Sequence, residues 1–145
     1  MHATDPEESD GRFREAIEAL RRGEFERSFQ LVQAMADEGI PLAIHFLGWH
    51  YHKGLGTPPD DQAAVRCWEA AARAGIAGSM QGLGWAYESG RGVAQDPVQA
   101  YAWYQRAILH GDESAREFLS ELAARLSPEQ LREAEARLAE GDDGG

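Results

Sequence analysis

A shift of 36 residues lays the middle of this chain on itself: Leu47-Gly48-Trp49 falls on Leu83-Gly84-Trp85, and Tyr51 on Tyr87. At the same offset Gly54 and Gly56 meet Gly90 and Gly92, Asp60 meets Asp96, Ala64 meets Ala100, Trp68 meets Tyr104 and Ala71 meets Ala107. Gly39, Gly75 and Gly111 stand at the joints. A fixed period of this length is the mark of stacked units, each of which buries its apolar face only against its neighbours. The 145 residues are therefore expected to form a solenoid, not one undivided core.

Each period reads as helix, glycine loop, helix. Over about Leu42 to Lys53, Ala43, Leu47 and Tyr51 recur at i, i+4 and i+8, a stripe that only a helix gathers on one side. Lys53-Gly54-Leu55-Gly56 ends that helix. Asp60 and Asp96 then stand where an N-cap is wanted, and Pro97 takes the first helical position, where its missing N–H costs nothing. The second helices carry Ala64, Trp68, Ala71 and Ala100, Tyr104, Ala107, one large ring among small residues. Gly48 and Gly84 lie in helix interiors, where glycine costs about 1 kcal/mol against alanine, so close helix contact is their expected reason.

The flanks continue the pattern. Ser28, Val32, Met35 and Ala36 stand 36 residues ahead of Ala64, Trp68, Ala71 and Ala72, behind a loop at Gly23 that is four residues shorter. Beyond Gly111, Ala115, Leu119 and Ser120 repeat the first-helix spacing, and Ser127-Pro128-Glu129-Gln130 reads as a capping box with proline at N1. The expected organisation is one repeat domain over 11–139, with units at about 11–38, 39–74, 75–110 and 111–126 and a capping helix at 128–139. Residues 1–10 and 140–145 read as disordered acidic tails.

Charge narrows the function. Against 14 basic residues stand 25 acidic ones, a net charge of -11, which disfavours nucleic acid and anionic membrane surfaces as partners. The longest hydrophobic run, Ala100 to Tyr104, spans five residues, where a membrane helix needs about 20. The opening MHATDPEESD lacks the basic and apolar regions of a secretory signal, and the single Cys67 has no internal disulfide partner, so a cytoplasmic location is expected. Thirteen arginines to one lysine suggest a GC-rich, bacterial origin.

The segments LGWHYHKGLG and LGWAYESGRGVAQDPVQAYAWYQRA resemble the Sel-one-like repeat, a branch of the tetratricopeptide-type helical repeats. The likeness is strong over about 39–111 and rests on Leu47, Gly48, Tyr51, Ala64 and Trp68 recurring as Leu83, Gly84, Tyr87, Ala100 and Tyr104. The first unit lacks the Gly-x-Gly loop, and Ser120 replaces glycine in the last. The resemblance implies an all-α fold, a right-handed α-solenoid of stacked antiparallel helix pairs. It implies also a non-catalytic adaptor or scaffold that holds a protein or peptide in its concave groove. An antagonist or immunity-type protein that neutralises a target is the alternative role, suggested by small size and acidity.

In such a groove the first-helix stripe opposite the packing face would line the surface. On the middle units this is His45, Trp49, His52 and Gln81, Trp85, Glu88; the first unit supplies Phe13, Ile17 and Leu20, and the last Glu117 and Glu121. The surface would run from apolar through two tryptophans to acidic, fitting a partner with apolar and basic segments. The same tryptophans, and the first-unit apolar residues, could instead be packing between repeats. Open ends of the stack leave self-association available.

Enzyme readings are weak. His45 and His52 share a helix face, but His50 lies roughly 160° from His52, so the three cannot converge on one metal. A site using His45, His52 and Glu88 is the remaining metal alternative. Cys67 beside Trp68 reads as a structural thiol, and the pair Glu117 and Glu121 as a solvated acidic face. The Gly-x-Gly loops lack a preceding strand and a Gly-Lys-Ser/Thr, so they are turns. No cofactor is expected.

Overall fold

Among the described residues, eight α-helices account for most of the chain. The computed structural model describes the backbone of residues 6–144 and the side chains of residues 11–140. The helices are α1 (Pro6–Arg21), α2 (Phe25–Asp37), α3 (Pro41–Lys53), α4 (Asp61–Arg73), α5 (Ala77–Ser89), α6 (Pro97–Leu109), α7 (Ala115–Ala123) and α8 (Pro128–Gly144). From α1 to α7 each helix packs on the next in chain order, and α6 also receives α8. The result is an all-α solenoid of stacked antiparallel helix pairs, α1–α2, α3–α4 and α5–α6, closed by α7 and α8. Among the described residues there is no strand, and no helix is long and apolar enough to cross a membrane.

Local chemistry sets the helix boundaries. The Asp60 carboxylate accepts from Ala63 N at 3.0 Å and the Asp96 carboxylate from Gln99 N at 3.1 Å, satisfying N–H groups at the starts of α4 and α6. At α8 the capping box closes both ways: Gln130 N donates to Ser127 Oγ at 3.1 Å and Ser127 N to Gln130 Oε1 at 2.9 Å. Gly54 and Gly90 end α3 and α5 at φ 71° and 72°, a left-handed conformation open to glycine at little cost.

The core lies between successive helices. Trp68 and Tyr104 are fully buried, and Ala64, Leu83, Ala86, Ala100 and Ala107 close around them. A Cβ on Gly48 would collide with the Trp68 indole, and one on Gly84 would stand 2.6 Å from Tyr104 Cδ1. The interior glycines are thus seats for the large rings of the second helices. A smaller cluster of Ala16, Val32 and Leu47, with Phe29 and Phe46, holds the first unit to α3.

Helix α1 begins at Pro6 and α8 continues to Gly144, within the stretches 1–10 and 140–145. The remainder of those stretches, residues 1–5 and 145, lies outside the described residues.

Candidate functional site

Helices α1, α3, α5 and α7 carry the stripe picked out above, and on α3 and α5 it forms one continuous aromatic cluster. The Trp49 ring lies 5.0 Å from the buried Trp68 and 5.7 Å from His52, and His45 meets it edge-on at 6.4 Å. His52 in turn meets Trp85 at 4.6 Å with the planes at 66°, bridging one unit to the next. Such tilted and edge-on arrangements match the ring quadrupoles and stabilise the joint beyond area burial alone. Trp49 and Trp85 are both half-buried, each with one face against the joint.

The polar tips of the stripe also reach forward. His45 Nδ1 is hydrogen-bonded to the buried Ser79 Oγ at 2.7 Å, and His52 Nδ1–H donates to Asp61 Oδ1 at 2.8 Å. Gln81 Nε2 donates to Asp112 at 2.9 Å and to Ser114 at 2.8 Å. Glu88 accepts from the Tyr104 hydroxyl at 2.7 Å and pairs with Arg125. Burial and the Glu88 carboxylate together push the Tyr104 hydroxyl pKa far above its ordinary value, so it stays a donor. Arg91 reaches both Asp61, at 3.5 Å, and the Trp85 ring, at 6.0 Å.

The ends of the stripe differ. Phe13 is half-buried against Phe46 at 5.9 Å and Leu20 is half-buried, while Ile17 is 48% exposed. Glu117 and Glu121 are exposed on α7. Nearby, Phe118, 36 residues after Gly82, stacks on Tyr104 at 5.8 Å with the planes at 16°, whereas one unit earlier Gly82 itself lies against the Trp68 ring.

The remaining metal candidate is not assembled. His45 holds Ser79, His52 holds Asp61, and Glu88 is occupied by Tyr104 and Arg125. No group of three or more His, Cys, Asp or Glu among the described residues is placed to hold an ion. His50 belongs to the core: it is 2% exposed, its Nδ1–H donates to Phe46 O at 2.8 Å, and its Nε2 accepts from the buried Ser28 hydroxyl at 2.6 Å. This pair and the His45–Ser79 pair escape sequence reading, because a serine in a helix interior carries no signal of what faces it. Burial raises the Cys67 thiol to about 11, which keeps it protonated at neutral pH.

Two stretches, residues 41–76 and 77–112, match the family model described as Sel1 repeat, and each spans one helix pair, α3–α4 and α5–α6. No curated protein matches the chain. Among solved structures, a Sel1 repeat protein from Oxalobacter formigenes is 30% identical, with a TM-score of 0.62 over 65% of this chain and 38% of its own. The protein c5321, a protective antigen of uropathogenic Escherichia coli displaying an SLR fold, is 27% identical, with a TM-score of 0.80 over 85% of this chain and 27% of its own. Helicobacter pylori cysteine rich protein B is 19% identical, with a TM-score of 0.61 over 81% of this chain and 98% of its own, and shares the fold. The chain thus spans well under half the length of the first two.

Proposed function

The chain belongs to the Sel1 repeat family, and from that premise we propose that it is a protein-binding module whose partner lies along the stripe of α1, α3, α5 and α7. The fold and family are typical of non-catalytic interaction scaffolds. The observation that carries the reading is the aromatic cluster His45, Trp49, His52 and Trp85, which crosses a repeat boundary while leaving each ring partly accessible. Half-buried, rigid rings are what interface hot spots use, since little conformational freedom is lost when a partner covers them. Ile17 offers apolar surface at one end, and Glu117 and Glu121 offer charge at the other. The partner that fits is a peptide segment with an apolar stretch followed by Lys or Arg.

The test is a screen of displayed peptides against the wild-type chain, followed by affinity measurement with Trp49→Ala and Trp85→Ala. Hot-spot loss corresponds to roughly 30-fold or more weaker binding at ~2 kcal/mol per anchor. Because Trp49 also packs on Trp68, helical content of each variant is compared by circular dichroism. Full affinity in a folded variant would refute the assignment.

A further inference from the structure

Helix α7 is a first helix without a second helix across it. Within each middle unit the second helix lays a large ring on an interior glycine of the first, Trp68 on Gly48 and Tyr104 on Gly84. The next position in this series is Ser120, and it is exposed. Helix α8 packs on α6, not on α7 as α4 packs on α3 and α6 on α5. Register explains the departure. Thirty-six residues after Tyr104 stands the exposed Glu140, whereas Leu131 and Ala134 of α8 join the core cluster of Tyr101, Tyr104 and Ile108.

First helices also reach forward along the stack. His45 meets Ser79, and Gln81 meets Asp112 and Ser114, in each case at the start of the following first helix. The third member of that series, Glu117, is exposed and has no following first helix among the described residues. The free charge on α7 has one sign: Arg116 is paired with Glu113 and Arg125 with Glu88, while neither Glu117 nor Glu121 has an ion-pair partner among the described residues. Phe118, 44% exposed, adds apolar surface beside them.

The seat also has a size. Gly48 and Gly84 receive whole rings, whereas Ala16, at the matching place in the first unit, shares a buried cluster with Val32, which stands 36 residues before Trp68. A Cβ on the first helix thus goes with a side chain of valine size on the second, and Ser120 carries a Cβ and a hydroxyl. We propose that α7 receives an amphipathic helix of a partner protein, which completes the fourth unit in trans. The helix places a valine-sized aliphatic residue on Ser120, and Lys or Arg one turn to either side meet Glu117 and Glu121. The chain's own α1 does not fit, because Glu7, Glu8 and Asp10 in its first turns would bring acid to an acidic face. The surface shares Glu117 and Glu121 with the stripe, but Ser120 belongs to this seat alone, so the proposal does not rest on the peptide reading.

The probe is a stapled alanine-based helical peptide with a central valine and a lysine one turn to either side, titrated against the full chain by fluorescence anisotropy. Saturable binding is expected, weaker by about 10-fold or more when glutamate replaces lysine or in Glu117→Gln/Glu121→Gln, as loss of charge-assisted contacts implies. A peptide with tryptophan in place of valine is expected to bind the wild-type chain more weakly, and Ser120→Gly to reverse that order by opening a seat for the ring. Circular dichroism checks the helical content of each variant. Trp49→Ala, in the stripe, is expected to leave this affinity unchanged, so the two sites fail separately. Absence of saturable binding in the millimolar range, equal binding of the glutamate peptide, the same valine-over-tryptophan order in Ser120→Gly, or loss of binding in folded Trp49→Ala would overturn the proposal.

Discussion

The ring of Tyr104 occupies the space where Gly84 would carry a side chain: a Cβ there would stand 2.6 Å from both Cδ1 and Cε1 of the ring. Trp68 and Gly48 repeat the relationship one unit earlier. A costly helix glycine is thereby matched to a large buried ring of the partner helix in each of the two middle units, and the ring packs directly on the glycine.

Gly84→Leu is expected to overpack this joint and destabilise the fold by roughly 1–3 kcal/mol, because the added methylenes meet a buried ring with nowhere to move. Urea unfolding measures it through a lower midpoint at similar slope. An unchanged midpoint would mean that the joint can open without cost.

The helix caps give a paired prediction. Asp60→Ala removes the cap at α4, expected to cost about 1 kcal/mol. Asp96→Ala removes the corresponding cap at α6 and also the contact with Arg137 at 3.0 Å, which ties α8 to α6. The Asp96 variant should therefore melt below the Asp60 variant, and equal melting temperatures would show that the α8 tie contributes nothing.

These caps, the joints and the register of the middle units are legible in the sequence because local chemistry writes them at a fixed spacing. What the stripe touches is not legible in the same way. A repeat of 36 shows which residues are equivalent, whereas His45–Ser79 and Gln81–Ser114 are contacts between non-equivalent positions 34 and 33 apart. Sequence offered groove or packing as alternative roles for Trp49; in the structure its ring packs on Trp68 and the residue is half-buried.

Acid sensitivity should come from two histidines. Burial lowers the pKa of both His45 and His50 from 6.5, so the folded state favours the neutral rings. The unfolded chain then binds more protons as pH drops, so the stability these groups contribute is present above about pH 6.5 and lost below it. Asp96 and Glu38, whose pKa values are lowered, act only in the more acidic carboxylate range. Thermal melting is expected to fall between pH 7 and pH 5, with a flatter profile in His45→Gln/His50→Gln. A flat wild-type profile would show that neither ring is protected from protonation by the fold.

The central claim, that a partner segment lies along the stripe from apolar α1 to acidic α7, is tested most directly by reversing the charge at one end. Glu117 and Glu121 are exposed, so Glu117→Lys/Glu121→Lys leaves the core untouched. Affinity for a selected peptide with an apolar stretch followed by Lys or Arg should fall about 10-fold or more at physiological salt, and a matching peptide ending in Asp or Glu should regain it. Unchanged affinity for the basic peptide would contradict the account.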